Sequence, residues 1–255
     1  MNVLTIKGVS IGEGMPKIIV PLMGKTEKQI LNEAEAVKLL NPDIVEWRVD
    51  VFEKANDREA VTKLISKLRK SLEDKLFLFT FRTHKEGGSM EMDESSYLAL
   101  LESAIQTKDI DLIDIELFSG DANVKALVSL AEENNVYVVM SNHDFEKTPS
   151  KDEILSRLLK MQDLGAHIPK MAVMPNDTGD LLTLLDATYT MKTKYADRPI
   201  ITMSMAATGL ISRLSGEVFG SACTFGAGEE ASAPGQIPVS ELRSVLDILH
   251  KNTRE

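Results

Sequence analysis

Ile44-Val45-Glu46-Trp47-Arg48-Val49-Asp50 decides how this chain is built. On an extended strand successive side chains point to opposite faces, so Val45, Trp47 and Val49 share one face and Glu46, Arg48 and Asp50 the other. The pattern recurs downstream. Phe77, Phe79 and Phe81 oppose Leu78, Thr80 and Arg82, and Ile113, Ile115 and Leu117 oppose Asp114 and Glu116. The apolar faces need a covering layer, and amphipathic segments of helical length lie between the runs. The polar faces then point away from the helices, into the centre of a closed sheet. A barrel with no task beyond stability fills that centre with branched apolar side chains. Here charges gather toward the C-terminal ends of successive strands, where barrel active sites lie. A single such strand fits a segment leaving the core. Three with matching parity fit a polar barrel mouth.

The alternation runs the length of the chain. Strands are predicted at Ile18–Leu22, Ile44–Arg48, Leu76–Phe81, Leu112–Glu116, Tyr137–Ser141, Lys170–Met174, Ile200–Ser204 and Ala222–Phe225. Helices are predicted between them. Thr26-Glu27-Lys28-Gln29 and Ser150-Lys151-Asp152-Glu153 read as capping boxes, each opening a helix. The first of these helices stops before Asn41-Pro42, and the second ends near Leu164-Gly165. The others cover Arg58–Ser71, Glu94–Thr107, Ala122–Asn134, Gly179–Tyr195, Leu210–Phe219 and Ser240–His250. Eight strands alternating with eight helices predict an α/β fold of parallel βα units, a (β/α)8 TIM barrel. The length, 255 residues, suits one such barrel, and no linker divides it, so 1–255 reads as a single domain. An open doubly wound sheet alternates similarly, but no Gly-x-Gly-x-x-Gly follows the first strand. Val3–Ile6 and Val9–Ile11, around Lys7-Gly8, form an extra hairpin expected to close the N-terminal end of the barrel.

Composition narrows the partners. A net charge of −10 argues against nucleic acid and against an anionic membrane surface. The longest apolar stretches, such as Leu76–Phe81, are too short to span a bilayer. One cysteine, Cys223, cannot form an intrachain disulfide and suits a reducing compartment. The segment Met1–Gly14 has no apolar run of signal-peptide length, and a cytoplasmic location is expected. No His, Cys and carboxylate spacing suggests a metal site.

Chemistry concentrates at two residues. Lys170 lies in the apolar run Ile168-Pro169-Lys170-Met171-Ala172-Val173-Met174. Lysine is rarely fully buried without a partner or a chemical role. Either Lys170 is solvated at a strand mouth after Pro169, or it is buried as an amine nucleophile able to form a Schiff base. His143 follows the fifth strand, next in the barrel to the strand of Lys170, and can exchange a proton near neutral pH. Glu86, after the third strand, could orient its imidazole. His84, His167 and His250 have no comparable setting. Arg48, Arg82, Lys170 and Arg213 gather cationic charge at strand ends in an acidic protein, which points to an anionic ligand. Glu46 and Asp114 would neutralise part of that charge or accept from substrate hydroxyls.

Two loops of small residues occupy the last third. One runs from Met203 to Arg213. The other, from Phe225 to Gln236, has glycine hinges and the polar residues Ser232 and Gln236, and reads as a lid closing on ligand.

Six segments together resemble type I 3-dehydroquinate dehydratase. They are Glu46-Trp47-Arg48-Val49-Asp50, Phe81-Arg82-Thr83 with Glu86-Gly87-Gly88, Ser141-Asn142-His143-Asp144-Phe145, Pro169-Lys170-Met171-Ala172, Met203-Ser204-Met205 with Ser212-Arg213, and Ser232-Ala233-Pro234-Gly235-Gln236. Their order and spacing are specific and run almost end to end. Pro21 stands where some members carry a hydroxyl residue. The resemblance implies a lyase of the shikimate pathway, dimeric, without metal or cofactor, converting 3-dehydroquinate to 3-dehydroshikimate. In that scheme Lys170 forms the imine, His143 is acid and base, and Glu86 orients it. Arg213 would hold the substrate carboxylate. Glu46, Arg48 and Arg82 would position the ring, Ser232 and Gln236 would close from the lid, and Phe225, Met203 and Met205 would form an apolar wall. From the residues alone two rivals stay open: a class I aldolase-like barrel acting on a sugar phosphate, and a non-catalytic barrel that binds anionic metabolites.

Overall fold

Backbone pairing brings the first and last strands of the sheet together. The computed structural model describes residues 3–228 and 235–253. Among them eight strands form one sheet: β3 (Lys17–Leu22), β4 (Ile44–Arg48), β5 (Leu76–Thr80), β6 (Leu112–Glu116), β7 (Tyr137–Asp144), β8 (Ile168–Val173), β9 (Ile201–Ser204) and β10 (Cys223–Phe225). All ladders are parallel, and β10 pairs with β3 through Cys223 opposite Lys17. The remaining gap, between β9 and β10, is bridged where the Ala222 N–H donates to the Ile200 carbonyl at 2.8 Å. The sheet is a closed (β/α)8 barrel.

Helices return the chain between strands: α1 (Glu27–Leu39), α2 (Arg58–Leu72), α3 (Glu94–Gln106), α4 (Asp121–Glu133), α5 (Lys151–Asp163), α6 (Thr178–Thr190), α7 (Leu210–Leu214), α8 (Gly216–Phe219) and α9 (Val239–Asn252). Thr26 and Gln29 complete the capping box of α1. At α5 only half of the expected box forms. Ser150 accepts from the Glu153 N–H, while the Glu153 carboxylate turns to Arg157 instead. Two expected helices differ in form. Gly179–Tyr195 is α6 followed by a π-helical turn over Met191–Tyr195, and Leu210–Phe219 breaks at Ser215 into α7 and α8. A Cβ at Gly216 would lie 2.6 Å from the Ser221 carbonyl oxygen, so α8 starts only where glycine lets the two backbones approach.

Strand parity sorts the apolar residues into two cores. Val45, Trp47, Phe77, Phe79, Ile113, Ile115, Val138 and Met140 face outward and pack under the helices. Trp47 sits between Phe52 and Phe79, with ring centroids 5.8 Å away in each case. Ile19, Ile44, Leu76, Leu78, Leu112, Val139, Ile168 and Ile201 fill the lumen. Hairpin β1 (Leu4–Ile6) and β2 (Val9–Ile11) contributes buried Ile6 and Ile11 to that second core, closing the N-terminal end. Above this apolar floor the same inward positions become Glu46, Thr80, Asp114, Ser141 and Lys170, all buried. The site therefore stands on a packed base and opens at the C-terminal end.

Candidate active site

Lys170 is 3% exposed, so the buried alternative for this residue is the one realised. Its Nζ lies 3.2 Å from Asp114 Oδ2, 4.0 Å from Glu46 Oε1 and 4.8 Å from the centre of the Phe225 ring. The two carboxylates are fixed in turn. Thr80 donates to Glu46 at 2.9 Å, and Asp114 accepts from Ser141 at 2.6 Å and pairs with Arg82 at 2.9 Å. Burial would raise the Asp114 pKa, but Arg82 and Lys170 beside it, with the Ser141 hydrogen bond, hold it below the ordinary carboxylate value.

His143 extends β7 beyond its predicted end at Ser141, because the ladder with β8 continues through Asp144 opposite Val173. Its Nδ1 meets Glu86 Oε2 at 2.9 Å, and its backbone N–H donates to the same oxygen at 3.0 Å. Glu86 stands in a 3-10 turn, His84–Glu86, that leaves β5 and closes on Gly87 and Gly88. A Cβ at Gly88 would lie 1.9 Å from the Arg82 carbonyl oxygen, and one at Gly87 2.3 Å from the Phe145 ring. Only glycines let this turn lie flat enough to bring a carboxylate from the third barrel strand to the fifth.

Burial lowers the His143 pKa well below its ordinary value, and Arg82, Lys170 and Arg48 act in the same direction. The ring is therefore neutral at physiological pH. Burial and the nearby Glu116 carboxylate push Glu86 up to about 8, against the opposing pull of Arg82 and of the Asn142 hydrogen bond. An extra proton on this pair thus goes to the carboxyl before the ring. With Glu86 ionised, the imidazole donates Nδ1–H to it and keeps Nε2 as a free base.

The cations differ in their engagement. Arg82 is clasped by Asp114, Glu116 and Ser141 at 2.8–2.9 Å. Arg48 makes two bonds to Asp50, at 2.8 and 2.9 Å. Arg213 is 1% exposed; burial pulls it down to about 10, so it is still cationic at neutral pH. Its Nη1 lies 4.0 Å from Met203 Sδ.

A cavity of about 250 Å³ brings the predicted residues together. Glu46, Arg48, Arg82, Glu86, His143, Lys170, Met203, Met205, Arg213, Phe225 and Gln236 all line it, with Gly87, Phe145 and Ala172. Ser232 lies outside the described residues. The other histidines stand apart: His84 contacts the Gly88 carbonyl, His167 accepts from the Val138 N–H, and His250 pairs with Glu217. Among the described residues no group of three or more His, Cys, Asp or Glu is arranged to hold a metal. Sequence reasoning missed Asn142, whose Nδ2 donates to Glu86 Oε1 at 3.0 Å. The available signal was parity, since a polar residue on the outward face of β7 interrupts Val138 and Met140.

An amine, a neutral imidazole and fixed cations in a small lumen can add to a carbonyl, move a proton beside it and hold an anion. Such a site at the C-terminal mouth places the molecule among (β/α)8-barrel enzymes. Comparison narrows the class: a family model described as type I 3-dehydroquinase matches residues 18–253, and the chain belongs to that family. It is 98% identical over 254 residues to a 3-dehydroquinate dehydratase of Bacillus subtilis (strain 168), with 100% of each chain covered. The corresponding enzyme of Bacillus velezensis is 65% identical over 252 residues, covering 99% of this chain and 100% of the relative. A crystal structure of type I 3-dehydroquinate dehydratase from Clostridium difficile, with covalent modified comenic acid, superposes with a TM-score of 0.95. It is 50% identical and covers 98% of both chains.

Proposed function

We propose that the chain dehydrates 3-dehydroquinate to 3-dehydroshikimate through a Schiff base on Lys170. The buried Lys170 amine beside the His143–Glu86 pair, in a member of this family, carries the reading. Lys170 first gives up a proton to His143 Nε2; the freed amine adds to the substrate ketone, and the carbinolamine hydroxyl takes that proton back and leaves as water, giving an iminium. The iminium draws electrons from the neighbouring carbon, so its C–H proton becomes acidic. His143 Nε2 takes that proton, the C–H electrons form the new double bond, and the β-hydroxyl leaves. The same imidazolium returns the proton to the departing oxygen as water, on one face of the ring. A water molecule then hydrolyses the product imine and regenerates the amine.

Glu86 holds the imidazole tautomer and balances the transient imidazolium. Asp114 and Glu46 face the iminium nitrogen and stabilise its positive charge. Arg213 receives the substrate carboxylate. Arg48, Arg82 and Glu46 position the ring hydroxyls, Phe225, Met203 and Met205 form the apolar wall, and Gln236 closes from the loop after β10 together with Ser232. This chemistry requires no metal or organic cofactor. A homodimer and a cytoplasmic location complete the reading, and light scattering and cell fractionation test them.

The direct test adds 3-dehydroquinate and follows ultraviolet absorbance. The product is a conjugated enone, so absorbance rises with turnover. A folded preparation that produces no enone overturns the assignment. An aldolase-type barrel would release two carbonyl fragments instead.

A further inference from the structure

We propose that Arg157, on α5 and outside the catalytic cavity, is a positioning residue for the acid–base pair and acts through the side-chain amide of Asn142. The inference rests on the reading above that His143 and Glu86 move the proton.

Asn142 stands on the outward face of β7, one residue before His143, and is 4% exposed. Its amide bridges two groups. Arg157 Nη1 donates to Oδ1 at 2.8 Å, and Nδ2 donates to Glu86 Oε1 at 3.0 Å. An amide can turn end for end, and its neighbours decide which end faces which. A guanidinium has only donors, so Arg157 requires the oxygen end. The nitrogen end is then left facing Glu86, where it supports the ionised carboxylate. Turned over, the amide would set its oxygen against that carboxylate. Arg157 thus selects the orientation of Asn142 that keeps Glu86 able to accept the His143 Nδ1–H.

Arg157 is itself held on three sides. Its Nε donates to Glu153 one turn earlier on α5 at 2.7 Å. Its guanidinium lies 5.6 Å from the centre of the Phe118 ring, and Asp144 is 4.0 Å away. A second cavity of about 730 Å³ lies on this side, and Glu86, His143, Asn142 and Arg157 all line it. Glu86 and His143 therefore form a wall between two cavities. On the outer side the Asn142 amide meets the carboxylate.

The charged groups around Glu86 set the expected sign. Arg82 follows β5, Asp114 and Glu116 lie on β6, His143 and Asp144 on β7, and Lys170 on β8. Arg48 ends β4, His84 and Lys85 share the turn of Glu86, and Glu153 lies beside Arg157 on α5. Glu116 already opposes ionisation of Glu86, and Arg82 and Asn142 favour it. Losing the amide donor raises the carboxyl further.

The test measures kcat, KM and pH profiles for Arg157→Met, Arg157→Lys, Asn142→Ala and the double variant Arg157→Met with Asn142→Ala. Arg157→Met keeps an unbranched aliphatic side chain but removes the donor. It is expected to lower kcat roughly tenfold, the scale of one hydrogen bond to a charged group. KM should stay within about twofold of the parent's, and the acid limb of the profile should move to higher pH. Arg157→Lys should recover part of the loss. Because the effect passes through the amide, adding Arg157→Met to Asn142→Ala should change little further. Parental kcat and an unmoved limb in Arg157→Met overturn the proposal, as do fully additive losses in the double variant. If Arg157→Met fails to fold, Arg157→Gln takes its place, because its amide can donate or accept and so no longer demands the oxygen end of Asn142: parental kcat and an unmoved limb overturn the proposal, and lower kcat with a limb at higher pH supports it. Enone formation and borohydride trapping on Lys170 in the parent report separately on the underlying reading. If those fail, that reading fails; if they hold and Arg157→Met matches the parent, only this inference does.

Discussion

A lysine that forms an imine leaves a chemical trace. Borohydride added with substrate or product should reduce the imine to a secondary amine, raising the intact mass by one ligand, and peptide mapping should place it on Lys170. Lys170→Met should bind ligand and give no adduct; an adduct on another lysine moves the nucleophile elsewhere. His143→Ala should still trap ligand while losing about 10²–10⁴-fold in turnover, the usual worth of general acid–base catalysis. Full activity in that variant removes the imidazole from the mechanism. The pH profile reports on the pair. Activity requires ionised Glu86 and neutral His143, so the rate rises with pH as the pair loses its proton. Burial and Glu116 hold that proton on a carboxyl raised from its ordinary 4.5. Removing the carboxylate leaves only the ring, which burial and three cations keep well below 6.5. Glu86→Gln should therefore shift the acid limb toward lower pH, and a limb that stays in place would assign it to another group.

At the scale of elements, the site depends on turns as much as on strands. Gly88 lets the turn after β5 fold back over Arg82, and any Cβ there collides with backbone. Gly88→Ala should cost at least about 2 kcal/mol of stability, as forced backbone conflicts do, and lower kcat by displacing Glu86. Thermal unfolding together with steady-state rates checks both, and parental values would show that the turn relaxes freely. The strands were legible in the sequence because parity is a two-residue rule: Val45 and Trp47 against Glu46 and Arg48 can be read without a partner. The ends of elements were less so. β7 runs to Asp144 because its neighbour β8 goes on pairing, a fact held in another segment. The break at Ser215 likewise answers to tertiary packing, where Gly216 lets the backbone approach Ser221. Lys170 was legible as a lysine inside an apolar run, and His143 and Glu86 as polar residues just beyond the predicted ends of the fifth and third strands. Asn142 and Arg157 could not be assigned, since their meaning is relational. The amide meets a carboxylate 56 positions away and a guanidinium 15 positions on.

Across the whole molecule the lumen is stratified, with an apolar floor and a polar mouth, and the two layers should fail independently. Ile11, fully buried in the floor, should cost about 2–5 kcal/mol when cut to alanine. The lowered unfolding temperature should come with a kcat close to the parent's, because Ile11 does not line the cavity that holds Lys170, His143 and Glu86. A large loss of kcat in folded Ile11→Ala would show that floor and mouth are coupled. Exhaustive chelation should leave turnover intact, since an iminium supplies the electron withdrawal for which other enzymes use a Lewis acid. Activity lost to a chelator and restored by Mg²⁺ or Zn²⁺ would overturn the mechanism.

The meeting of β10 with β3 has a temporal consequence. Lys17 and Cys223 come from opposite ends of the chain, and such distant pairings form slowly and late in folding. Until that seam shuts there is no inside. Lys170 is then one solvated amine among many, with no walls to keep Asp114, Glu46 and His143 around it. The reactivity proposed for this lysine thus depends on the seam, and a chain truncated before β10 carries Lys170, His143 and Glu86 without the closed lumen that gathers them.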